Sequence, residues 1–125
     1  MEDSAAYATL SIVRTPIHPS REDLHLEDVL YALGNPLRLH LVSQLKGEDN
    51  ISCGDLHLGE GVPKSTGSHV FKVLRESGII RMTPQGRRLL ISLRKADLDA
   101  RFPGLLEAVM KAKGRDVQNV QLPVK

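Results

Sequence analysis

Aromatic side chains are scarce: two Tyr, two Phe and no Trp in 125 residues. So few π-faces provide no row of stacking platforms for single-stranded nucleic acid. A single cysteine, Cys53, excludes an internal disulfide framework and fits a reducing compartment, so a cytoplasmic location is expected. No apolar run approaches the roughly 20 residues that span a bilayer, and the opening Met-Glu-Asp-Ser-Ala-Ala lacks the basic start and apolar stretch of a secretory signal. A membrane partner is therefore not expected. Aspartates and histidines occur, but no nucleophile–base pair or phosphate-cradling loop stands at mechanistic spacing. Neither catalysis nor a cofactor is expected.

What remains is ordinary for a globular chain, with 41% hydrophobic and 26% charged residues. The length suits one domain with a real core. Charge is unevenly placed. From Val62 to Lys95 stand Lys64, Lys72, Arg75, Arg81, Arg87, Arg88, Arg94 and Lys95 against Glu76 alone, a net +7 in a chain of net +2, so the remainder carries −5. A basic block in an otherwise acidic domain is the footprint of a polyanion partner. The plainer alternative is a solvated basic surface.

Residues 1–19 show no sustained period and contain Pro16 and Pro19, which reads as a flexible N-terminal arm. Ser20, with Glu22 and Asp23 behind it, suits a helix start. Leu26, Val29, Leu30 and Leu33 then follow as one apolar helical stripe. Gly34-Asn35-Pro36 ends that helix and opens another, to about Lys46, with Leu37, Leu41, Val42 and Leu45 inward. A short helix from about Ser52 to Leu58, a turn through Gly59–Pro63, and a helix from Ser65 to about Ser77 make a helix-turn-helix pattern.

Beyond Gly78 the apolar runs Ile79–Met82 and Leu89–Leu93 flank Thr83-Pro-Gln-Gly-Arg-Arg88, a β-hairpin with a basic tip. Leu98, Phe102, Leu105, Leu106, Val109 and Met110 form a last helical stripe, which Pro103 should break or kink. The expected fold is mainly α with a small β-hairpin, a winged helix-turn-helix. The domain spans residues 20–113 and a loose C-terminal tail 114–125. The first and last helices are expected to form a dimer interface, unless they simply pack on their own domain.

The segment Leu30-Tyr-Ala-Leu-Gly-Asn-Pro-Leu-Arg-Leu-His-Leu-Val42 resembles the "ALADPTRLRIL" stretch of the ArsR family of winged-helix repressors. Lys64-Ser-Thr-Gly-Ser-His-Val-Phe-Lys-Val-Leu-Arg-Glu-Ser-Gly-Ile-Ile80 is similar to that family's "QSTVSHHLKVLREAGLV". Gln85-Gly-Arg-Arg88 is similar to its "EGRW" wing. Three ordered segments over roughly residues 24–95 are far more specific than one isolated motif. The resemblance implies a homodimer whose two recognition helices enter successive major grooves of a palindromic operator on double-stranded DNA. It also implies repression relieved by an inducer, here of unspecified chemistry. Many members hold metals in a Cys-Val-Cys-Asp-Leu motif. The matching stretch is Ser52-Cys53-Gly54-Asp55-Leu56, with Ser and Gly at the ligand positions. A second family site uses Asp and His on the terminal helix, yet no histidine follows His69. Neither usual metal site is expected.

Candidate DNA contacts are Lys64, Ser65, Thr66, Ser68, His69 and Lys72 on the recognition helix, with Arg87 and Arg88 at the wing. Hydroxyl and imidazole groups suit base edges or phosphates, while Lys64, Lys72, Arg87 and Arg88 suit phosphates. Ser65 also fits an N-cap role, with Ser68 three residues on. Gly67 inside a helix costs about 1 kcal/mol relative to alanine. Arg38 and His40 read as a surface ion pair and a partly buried histidine, and Cys53 as a small core residue. His18, His25 and His57 show no ligand spacing. A rival reading is a winged-helix interaction module that uses the same face on an acidic protein.

Overall fold

A computed structural model describes residues 16–45 and 50–119. Among the described residues five α-helices and three short strands follow in order: α1 Leu26–Leu33, α2 Pro36–Leu45, β1 Ile51–Ser52, α3 Lys64–Glu76, β2 Ile80–Gln85, β3 Arg88–Leu93, α4 Lys95–Arg101 and α5 Leu105–Asn119. Single 3-10 turns occupy Arg21–Asp23 and Cys53–Asp55. The strands form one antiparallel sheet in the order β1-β3-β2. This is a winged helix-turn-helix, mainly helical, with β2 and β3 as the wing.

The breakers act where their chemistry requires. Asn35 caps α2: its Oδ1 accepts the N–H groups of Leu37 (2.9 Å) and Arg38 (3.1 Å), two of the donors a helix start leaves unpaired. Pro36 occupies the first helical position, where no N–H is missed. Phe102-Pro103-Gly104 separates α4 from α5, and Gly104 takes φ +82°, a backbone region most side chains avoid. The core joins Leu24, Val29, Ala32, Leu41, Val42 and Leu45 to Val70 and Leu74 of α3, Ile79, Ile80 and Ile91 of the sheet region, and Leu98, Leu106 and Met110 of the terminal helices.

Several expectations need correction, among them a partly buried His40, which is exposed. No helix runs from Ser52 to Leu58. Ile51 and Ser52 instead pair with Ile91 and Leu90, and only one 3-10 turn follows. The Gln44 side chain holds the backbone beyond it, accepting the His57 N–H at 2.9 Å and donating to the His57 carbonyl, which fixes that residue without any helical hydrogen bond. Second, α1 starts at Leu26 rather than Ser20, because Leu24 is extended and 1% exposed, committed to the core.

Third, the stripe of α1 is rotated. Val29, Ala32 and Leu33 are buried, whereas Leu26 (43% exposed), Leu30 (48%) and Tyr31 (69%) face outward. Fourth, Arg38 is no surface ion pair. It is buried, with Nε donating to the Ala32 carbonyl (2.7 Å), which the end of α1 leaves over, and Nη2 to the Tyr31 carbonyl (3.1 Å), which also accepts the Gly34 N–H. Residues 16–19 of the expected arm are bonded to the body, as described below, and residues 1–15 lie outside the described residues. The helix α5 continues to Asn119, into the expected tail, whose residues 120–125 lie outside the description.

Candidate nucleic-acid interface

Helix α3 is amphipathic because its apolar residues recur at helical spacing. Val70 and Leu74 are buried, and Phe71 and Val73 partly so. The opposite face carries Ser65, Ser68, His69, Lys72 and Glu76, all exposed, at the i, i+3, i+4, i+7 and i+11 positions of one stripe. Lys64 is exposed at the first turn, whereas Thr66 is only half-exposed, turned toward the flank. The N-cap is Pro63, with no side-chain cap hydrogen bond. Ser65 therefore lies inside the helix and does not cap it, and its hydroxyl is available on the outer face. Half-buried Gly67 stands where an added Cβ would lie 3.4 Å from the Leu58 methyl, so the preceding loop packs close to this helix.

The wing tip is a two-residue turn. Gln85 pairs with Arg88, leaving Gly86 and Arg87 as its centre. Only Gly86 takes positive φ (+61°), the requirement of a type II′ hairpin turn at its first central position. Arg87 and Arg88 are both exposed. On the outward face of the hairpin, Gln85 and Arg88 are followed by the pairs Thr83 with Leu90 and Arg81 with Ser92.

Not all of the basic block points to a partner. Arg94 is 6% exposed and its Nε lies 2.9 Å from Asp97; Arg81 lies 3.7 Å from the same carboxylate. Arg75 donates to the Ile17 carbonyl, and Lys95 pairs with Asp99 at 2.7 Å. Lys72 pairs with Glu76 at 3.1 Å. Among the described residues Lys64, Arg87 and Arg88 alone of the eight have neither a carboxylate partner nor a hydrogen bond to the fold. Sequence reasoning missed the coupling of Lys72 to Glu76, although i,i+4 spacing with opposite charge was a readable signal.

Among the described residues no group of three or more His, Cys, Asp or Glu converges as a metal site. Burial pushes the Cys53 thiol up from its usual range, which disfavours the thiolate that binds metals or attacks electrophiles. No described helix is long and apolar enough to cross a membrane.

An exposed polar stripe on the third helix and an arginine-tipped wing define the class: a helix-turn-helix protein of the winged type. No family model matches the chain. It is 31% identical over 83 residues to YceK of Bacillus subtilis (strain 168), described as an uncharacterized HTH-type transcriptional regulator, covering 65% of this chain and 82% of that protein. The chain belongs to the HTH-type transcriptional regulators.

Proposed function

We propose that the protein is a sequence-specific repressor of the ArsR type that binds double-stranded DNA as a homodimer and lacks that family's usual metal sites. The observation that carries this reading is the pairing of one solvent-facing stripe, Ser65, Ser68, His69 and Lys72, with a wing tip whose Arg87 and Arg88 are exposed and engage no carboxylate among the described residues. Hydroxyls and imidazole on the stripe read base edges, Thr66 contributes from its flank, and Lys64, Lys72, Arg87 and Arg88 hold phosphates. Helix α1 supports the dimer. Leu26, Leu30 and Tyr31 expose apolar area that a second copy, with α5, would cover. Residues 20–113 thus serve as one DNA-binding and dimerisation unit, acting in the cytoplasm on a palindromic operator.

Footprinting on the DNA upstream of its own gene tests the reading, with sedimentation in parallel. Protection of an inverted repeat by a species of twice 13.8 kDa is expected. A monomer, or an acidic protein partner with no protected DNA, overturns it.

A further inference from the structure

Residues 16–24 lie as a strap across the junction of recognition helix and wing. Four parts of the fold hold it. From α3, Arg75 Nη1 donates to the Ile17 carbonyl at 2.6 Å. From β2, the Met82 N–H donates to His18 Nε2 at 3.0 Å. From the turn after β3, Arg94 Nη1 donates to the Pro19 carbonyl at 2.8 Å, and from α4, Arg101 donates to the carbonyls of Glu22 (3.1 Å) and Leu24 (2.6 Å). Arg21 of the strap reaches Asp97 of α4 at 2.7 Å. Leu24 and Pro19 close over Gly78, the residue joining α3 to β2.

β2 is the outer strand of the sheet, so its outward N–H groups need partners. Pro84 has no N–H to lose on that side, and Met82, two residues earlier, directs its own N–H to His18. An acceptor at Nε2 requires a neutral imidazole with its proton on Nδ1, where the Pro16 carbonyl is available. The charged groups facing His18 from the described elements are all guanidinium: Arg75 of α3, Arg81 of β2 and Arg94 after β3. The carboxylate that Arg94 and Arg81 share, Asp97, is also engaged by Arg21.

We propose that His18 is a pH-sensitive latch: protonation replaces its acceptor with a donor facing the Met82 N–H, adds a cation beside three arginines, and loosens the strap that fixes the wing against the recognition helix. Burial, and then the three arginines, hold His18 below the ordinary histidine value, so the latch stays closed at neutral pH and opens in acid. Acid therefore weakens DNA binding through His18. This last consequence rests on the DNA-binding reading above.

The test is a pH titration of the full chain by NMR, following the His18 imidazole and the Met82 amide together. Both are expected to move with one midpoint below the usual ~6.5. In Arg81→Gln that shared midpoint rises, since an exposed cation has been removed without disturbing the core. In His18→Gln, whose neutral amide oxygen replaces Nε2 as acceptor, the Met82 amide no longer titrates. A Met82 amide indifferent to His18, or a midpoint unmoved in Arg81→Gln, overturns the latch.

The upstream duplex supplies the second arm. Between about pH 7.5 and about pH 5 the wild type is expected to lose about threefold more affinity than His18→Gln. Equal losses overturn the link from latch to DNA. Failure of both proteins to bind the duplex at any pH counts against the DNA-binding reading alone, because the NMR arm decides the latch.

Discussion

Leu24 packs so closely on Gly78 that a Cβ at position 78 would lie 2.0 Å from the Leu24 Cδ2. Gly78 also adopts φ +87°, and its N–H donates to the Arg75 carbonyl at 3.1 Å, ending the recognition helix. One glycine thus serves a backbone turn and a side-chain contact between residues 54 positions apart. The joint between helix and wing is shaped by what the strap places on it.

Gly78→Ala is expected to destabilise the protein by about 2–4 kcal/mol, combining left-handed backbone strain with overpacking. Leu24→Ala alone costs about 2–4 kcal/mol through the cavity it leaves. Combined, the two should cost clearly less than their sum, because the steric part of the first vanishes. Urea denaturation of the four proteins measures this, and strict additivity would refute the contact.

Arg38→Ala should cost about 2 kcal/mol, since it strands the buried Ala32 carbonyl at the end of α1, while the Tyr31 carbonyl keeps the Gly34 N–H at 3.2 Å. A shift in denaturation midpoint of that size, with an unchanged dependence on denaturant, is the expected result. A neutral substitution would mean that water serves the Ala32 carbonyl equally well.

Asp97 carries a pH dependence of defined sign. The hydrogen bond from Arg21, followed by that from Arg94, holds its carboxyl below the usual range despite partial burial. A depressed carboxylate contributes stability present above its unfolded value of about 3.9 and lost as pH falls through the folded one. Asp97→Asn should therefore cost about 2 kcal/mol at neutral pH, leaving buried Arg94 without its counter-charge. The gap from wild type should narrow as pH drops below about 4. Denaturation at stepped pH reads this directly, and a constant gap would contradict it.

For DNA, each phosphate contact removed should flatten the log–log salt dependence of binding by about 0.9. Arg87→Ala is expected to show the full change, because no carboxylate among the described residues competes for that exposed guanidinium. Lys72→Ala should show a smaller one, as Glu76 already holds its ammonium at 3.1 Å. Titrations at several salt concentrations separate the two, and identical slopes would remove Glu76 from the account.

Micromolar Zn(II) or As(III) should leave duplex binding intact. Ser52 and Gly54 offer no thiolate, and partial burial pushes the Cys53 thiol up, away from the thiolate that binds metals. Gel shifts with and without the ions check it; release of the DNA by either would reveal a ligand set outside the described residues.

Local chemistry alone settled most of the helix and hairpin boundaries. Gly34-Asn35-Pro36, Pro103-Gly104 and the Gln85–Arg88 turn act through their own backbones, so they are legible wherever they occur. The inward residues of α2 followed from helical spacing for the same reason. No such rule announced that His18 would meet Met82, 64 residues away, or that Arg94 would be buried against the Pro19 carbonyl, 75 residues away. Nor could periodicity tell that Leu26 and Leu30 would face outward while Ala32 went in. Ile51 became a strand residue because Ile91 was there to pair with it. Hydrogen bonds and burial between distant segments depend on which surfaces meet once the chain has closed, and that meeting leaves no mark in the spacing of neighbouring residues.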